Sequence, residues 1–197
     1  EPVVVAGDQR VDFDGDASAT AAMGTFLHVT LPDDVTAYTL EGAEVGYEAW
    51  RTLSQGGGGG SFGIRIGYLD SGAPGSHSDQ EQAYVLTCTW ADGSQGGYLF
   101  TINAYTPRPE WDDENLRIRF PGETEWVNLD TLIPVPAEWA GQDLGGRNQA
   151  TDLVGLLDGT GGMVDGLNGW FVFTIGRGVG NADTYVYRTH DGGRTWT

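Results

Sequence analysis

The chain reads as a mainly β protein, with antiparallel hairpins in a sandwich or a partial propeller-like arrangement and at most one or two short helices. Three observations predict this. Glycine supplies 32 of the 197 residues, well above its usual share of about 7%; no collagen period accompanies it, so the excess belongs to turns. Apolar runs are short and alternate with polar residues at period two. Turn clusters such as Pro121-Gly122-Glu123 and Asp191-Gly192-Gly193 punctuate them.

Taken in order, residues 2–6 form a short apolar strand, and residues 12–16 an acidic loop. Residues 25–31 make a strand stopped by Pro32-Asp33-Asp34, and residues 35–40 make another. Residues 44–53 carry Val45, Ala49, Trp50 and Leu53 at helical spacing, although Val45, Tyr47 and Ala49 also alternate; a short helix is the expectation. Five consecutive glycines, 56–60, read as a flexible tether, either a natural long loop or an engineered linker. Alternation resumes over residues 62–69, followed by a polar loop to residue 79.

The strongest tertiary expectation is a hairpin of residues 83–90 and 97–105. It puts Tyr84, Leu86, Cys88 and Trp90 on the same face as Tyr98, Phe100, Ile102 and Ala104. Residues 116–120 and 124–127 form a second hairpin. Ile133-Pro134-Val135-Pro136 is an extended connector, and residues 136–140 offer one helical turn with proline in an early position. Residues 141–149 are a polar loop, while residues 151–157 fit strand or helix alike. One continuous domain over 1–197 is expected, with sub-boundaries conceivable near 56–61 or 134–146, and a hairpin unit over 160–197.

Charge excludes whole classes of partner. With 28 acidic residues against ten basic ones the net charge is −18, and every basic residue is arginine. Such a chain repels phosphate backbones and anionic lipid heads, so no nucleic-acid partner is expected. No apolar stretch approaches the roughly 18 residues that span a bilayer. The single cysteine, Cys88, rules out an intrachain disulfide framework and reads as a small buried hydrophobe. The start at Glu1-Pro2-Val3 reads as a recombinant or a mature segment from which any targeting peptide has been removed.

The sharpest local signal is Thr189-His190-Asp191-Gly192-Gly193-Arg194-Thr195-Trp196. Asp-Gly-Gly after a strand is turn chemistry, because glycine takes φ > 0 without steric cost. Asp191 can fold its carboxylate back onto the backbone of its own turn, and Trp196 can pin the turn to a core. Thr189, Asp191, Gly193, Thr195 and Trp196 fill the five positions of an Asp-box, so the stretch resembles the turn of sialidase-type β-propeller repeats. Residues 162–173 resemble the strand pair that precedes it. In that family the box is scaffolding, so the resemblance implies architecture and an exported, extracellular or envelope-attached bacterial setting rather than a reaction. The arginine set and tyrosine nucleophile of the family's hydrolases find no match: Ile64-Arg65-Ile66 lacks the proline that follows the first arginine.

Other chemistry is sparse. Asp12, Asp14, Asp16 and Ser18 alternate in a glycine-containing loop and offer hard oxygen ligands suited to Ca²⁺. Gly15 is displaced from the place a helix-loop-helix calcium site requires, and Met23 stands where the closing glutamate belongs. His28, His77 and His190 are scattered, with no zinc spacing and no nucleophile pair. Trp111 lies in a polar acidic stretch with no evident core face and is the candidate platform for a sugar ring. The expectation is a surface or lipoprotein-type domain that binds carbohydrate or another surface protein. The competing expectation is a fragment of a carbohydrate-active enzyme.

Overall fold

The computed structural model describes residues 1–47, 49–69, 78–134, 158–178 and 181–197. The expected helical turn at 136–140, the loop at 141–149 and the ambiguous segment at 151–157 lie outside the described residues. The chain is mainly β and antiparallel, with no α-helix among the described residues. The described strands close neither a barrel nor a propeller. Contacts group into two compact units, Glu1–Thr106 and Pro107–Thr197.

The first unit contains β1 (Val3–Ala6), β2 (Gln9–Arg10), β3 (Ser18–Ala22), β4 (Phe26–Leu31), β5 (Val35–Glu44), β6 (Arg51–Gly57), β7 (Gly60–Arg65), β8 (Gln80–Trp90) and β9 (Gln95–Tyr105). They form a four-stranded sheet in the order β2-β1-β4-β7 and a five-stranded sheet in the order β3-β9-β8-β5-β6. Both sheets feed one core. Alternation in β4 sends Leu27, Val29 and Leu31 inward, where they join Leu40, Tyr84, Leu86, Phe100 and Ile102 from the other sheet. The β8–β9 hairpin pairs Tyr84 with Phe100 and Leu86 with Tyr98, and the Tyr84 and Phe100 rings stack 5.2 Å apart. Asp92 closes its turn by accepting hydrogen bonds from the Ser94 N–H and hydroxyl. Cys88 is fully buried, and burial pushes its thiol pKa up.

Two expectations are corrected. The described residues of 44–53 form no helix: β5 continues to Glu44, because Ala43 and Glu44 pair with Ala83 and Gln82 of β8, and β6 begins at Arg51. Val45, Tyr47 and Trp50 are left exposed. A single helical turn nucleates poorly and loses to a ladder already in place. Nor is the glycine run a tether. Gly56 and Gly57 pair with Tyr38 and Ala37 in the five-stranded sheet, while Gly60 pairs with Leu31 in the four-stranded one. Gly58 (φ 86°) and Gly60 (φ 127°) make the corner between the sheets, and the Gly58 N–H donates to Thr36 O.

The second unit contains β10 (Glu110–Asp112), β11 (Arg117–Arg119), β12 (Val127–Asn128), a 3-10 turn (Leu129–Thr131), β13 (Asp158–Met163), β14 (Gly169–Gly178) and β15 (Asn181–Thr189). Its two three-stranded sheets, β10-β11-β12 and β13-β14-β15, share a core of Ile118, Leu129, Phe171, Phe173 and Trp196. Glycines at 159 and 161 admit Phe171, whose ring atoms lie within 3.0 Å of where their Cβ atoms would stand.

The corner gives a direct test. A Cβ at Gly59 would stand 2.9 Å from Pro32 O and 3.0 Å from Asp33 Cα, backbone atoms that cannot yield cheaply. Gly67 has nothing within 4 Å. Gly59→Ala is expected to destabilise by about 1–3 kcal/mol and Gly67→Ala to leave stability near that of the parent, both read by denaturant unfolding.

Candidate functional site

Alternation along β4 sends Phe26 and His28 outward, away from the core that takes Leu27 and Val29. Gly7 turns with φ 60° and brings Asp8 and Gln9 back beside them. Gln9 Oε1 accepts the Thr20 N–H at 2.8 Å, which ties β2 to β3. β3 runs parallel to β9, with Ala22 opposite Tyr105, and the Met23 N–H donates to Tyr105 O at 2.7 Å. That pairing carries Tyr105 to the same depression, which has a volume of about 680 Å³ and is lined by Asp8, Gln9, Thr20, Phe26, His28 and Tyr105 among others.

Two rings are held partly in solvent there: Phe26 is 44% exposed and Tyr105 43%. Phe26 is held by two neighbours set against its ring. His28 stacks at 5.8 Å, and the Arg65 guanidinium lies 5.0 Å from the ring centroid while donating to Gly24 O. An apolar ring surface, a carboxylate, an amide, a hydroxyl and an imidazole therefore share one open concavity. This combination suits a ligand with both C–H faces and hydroxyl groups.

Asp12, Asp14 and Asp16 are not brought together as ligands. Asp12 accepts the Asp14 N–H, and Asp16 accepts the Ser18 N–H and hydroxyl. Those Ser18 bonds hold the Asp16 carboxyl below its ordinary range. Among the described residues no group of three or more His, Cys, Asp or Glu is placed to hold a metal ion.

Trp111, expected to have no evident core face, has one. It sits on β10 opposite Ile118, half-buried, with its ring 6.1 Å from Phe171 and 6.0 Å from Trp196. Its core face comes from strands distant in sequence.

The terminal turn is organised by one carboxylate. Asp191 Oδ1 accepts the N–H groups of Arg194 (3.1 Å) and Thr195 (2.9 Å) and the Thr189 hydroxyl (2.9 Å). Its Oδ2 accepts the Thr195 hydroxyl at 2.6 Å. The Gly193 N–H donates to the Thr189 hydroxyl oxygen. Trp196 is 3% exposed, and its indole N–H reaches Gly193 O at 2.8 Å. Gly192 and Gly193 take φ 74° and 84°, and a Cβ at Gly193 would strike Ile118 Cδ1 at 2.4 Å.

A neighbouring turn escaped the sequence reading. Asp165 Oδ1 accepts the N–H groups of Leu167 and Asn168. Asn168 Oδ1 then meets His190 Nδ1 at 2.8 Å, and Leu167 O takes the Gly192 N–H. Asp-Gly-Leu-Asn was the available signal, as an Asx turn.

Among the described residues, hydrogen bonds hold the carboxyls of Asp16, Asp92, Asp112, Asp165 and Asp191 below their ordinary range. For Asp191, burial pushes upward, but the bonds from Thr195, Thr189 and Arg194 outweigh it. A lowered folded value means that the stabilisation is present above the unfolded value of about 3.9 and is lost as pH falls through the folded one.

Asp191→Ala is expected to cost about 1–2 kcal/mol at pH 7 after allowing for its exposure. Its gap from the parent should narrow below about pH 3.9 in pH-dependent thermal melts. Trp196→Ala is expected to cost about 3–5 kcal/mol. Arg194, exposed over the Phe120 ring, should tolerate alanine.

Compared with known proteins, the chain matches no family model, no curated protein and no solved structure.

Proposed function

We propose that this chain is a non-catalytic binding domain of an exported bacterial surface or lipoprotein-type protein, and that the first unit takes a carbohydrate. The observation that carries the reading is the depression where Phe26 and Tyr105 stand partly in solvent beside Asp8, Gln9 and His28. Rings offer a stacking surface for the C–H face of a pyranose, while the carboxylate and amide accept from its hydroxyls. The net charge of −18 favours an uncharged glycan over an acidic one. The envelope setting draws on the Asp-box resemblance of the terminal turn, whose five residues stand in a closed hydrogen-bonded arrangement. The same resemblance favours a second reading, a fragment of a sialidase-like or other carbohydrate-active enzyme; turnover separates the two.

Uncharged oligosaccharides screened on a glycan array and followed by calorimetry should give binding that Phe26→Ala and Tyr105→Ala each weaken by about tenfold or more. Trp111→Ala should leave that affinity intact in any folded sample. Binding indifferent to both ring truncations would remove the depression as the site. Reproducible glycoside hydrolysis, abolished by a single carboxylate substitution, would replace the non-catalytic reading with the enzymatic one.

A further inference from the structure

A second opening lies in the first unit, at the sandwich edge where β6 and β7 part. β6 is the edge of the five-stranded sheet and β7 the edge of the four-stranded one, so no ladder closes the core between them. The slot measures about 200 Å³, and Leu53, Ile64, Leu69 and Tyr84 form its apolar wall. Tyr84 and Leu69 belong to the core, at 1% and 6% exposure. Gly42 stands behind them: a Cβ there would lie 2.7 Å from Leu53 Cδ1 and 3.3 Å from Tyr84 Cδ1. A bare backbone at that place lets both side chains line the slot.

The polar groups behind the wall satisfy one another. The Tyr84 hydroxyl donates to Gln82 Oε1 at 2.6 Å, and Gln82 Nε2 donates to Gly67 O and to Gln80 Oε1. Gln80 Nε2 donates to Leu69 O and Glu44 Oε2. The body of a ligand therefore need only be apolar. Charge enters through Arg51 and Arg65, which complete the lining. Two of the ten basic residues of a chain with net charge −18 thus meet at one small apolar slot. Arg65 donates to Gly24 O and rests over Phe26, and Arg51 has an interaction of its own. A guanidinium carries five N–H donors in a rigid fork, so such engagements are compatible with a bound carboxylate.

We propose that the β6–β7 slot binds a small monocarboxylate with a compact apolar body. The carboxylate faces Arg51 and Arg65, and the body lies against Leu53, Ile64 and Leu69. With a water's share of liquid volume near 30 Å³, the slot corresponds to roughly seven waters, which suits a body the size of one phenyl ring. A bare inorganic anion would satisfy the arginines and leave the apolar wall uncovered. A neutral isostere would cover the wall and forgo the charge-assisted bonds.

The test is calorimetric titration of the whole chain with phenylacetate, phenylacetamide and inorganic phosphate. Phenylacetate should bind, and the amide and phosphate should each bind about tenfold or more weakly. Arg51→Gln should weaken phenylacetate by about tenfold and leave the amide unchanged. Tyr105→Ala, which touches the carbohydrate depression and not the slot, should leave phenylacetate binding intact and so separates the two. Silence with phenylacetate, equal affinity for the amide, or phosphate binding as tightly as phenylacetate would each overturn the proposal. Should Arg51→Gln lose its cooperative melt, the three ligands on the unaltered chain still decide.

Discussion

The glycine corner at residues 58–60 is the constraint on which the first unit depends. A chain that leaves β6 in one sheet and enters β7 in the other must reverse within a few residues. Gly58 and Gly60 take left-handed or extended-positive φ values there, and Gly59 passes against the carbonyl of Pro32. Only glycine meets both demands without strain. Once β7 is delivered to β4, Arg65 falls opposite Phe26 and the guanidinium settles over that ring. The same crossing leaves β6 and β7 as edges of different sheets, which opens the slot lined by Leu53 and Ile64. One backbone feature thus shapes both concavities of the unit.

The second unit solves its turns by another route. Where the corner relies on missing side chains, the terminal turn relies on a side chain that replaces secondary structure. Two N–H groups and two hydroxyls converge on the Asp191 carboxylate. Asp165 does the same for the N–H groups of Leu167 and Asn168, and the two turns join through His190 and Gly192. With the backbone satisfied locally, Trp196 is free to enter the core shared by Phe171 and Ile118.

What the sequence made legible follows from this contrast. The β8–β9 hairpin was readable because its alternation and turn are local, and period two assigns Tyr84 and Phe100 to one face directly. The terminal turn was readable because Thr189, Asp191 and Thr195 lie within seven residues. The glycine run was misread because composition reports only backbone freedom, whereas the ladder with Ala37 and Tyr38 is a tertiary fact. The core face of Trp111 was hidden for the same reason: three residues of β10 carry no period, and its neighbours Phe171 and Trp196 lie 60 and more positions away. The depression was invisible as a candidate site, since Asp8 meets Phe26 through the pairing of β1 with β4 and Tyr105 joins them only through the parallel pairing of β3 with β9. Phe26 and His28, alternating outward from β4, were the one hint.

Charge usage completes the argument. In a chain without lysine, guanidinium groups lie over rings: Arg65 over Phe26, Arg117 and Arg119 over Trp126, and Arg194 over Phe120. A planar, weakly hydrated cation can do this while still pairing in its plane with a carboxylate. Arg117 does so with Asp112, and its hydrogen bonds, joined by those of Asn115, hold that carboxyl down to about 2. The carboxyls of Asp16, Asp92, Asp165 and Asp191, for their part, accept from groups of their own turns. Charges arranged to cap turns and cover rings stiffen a surface.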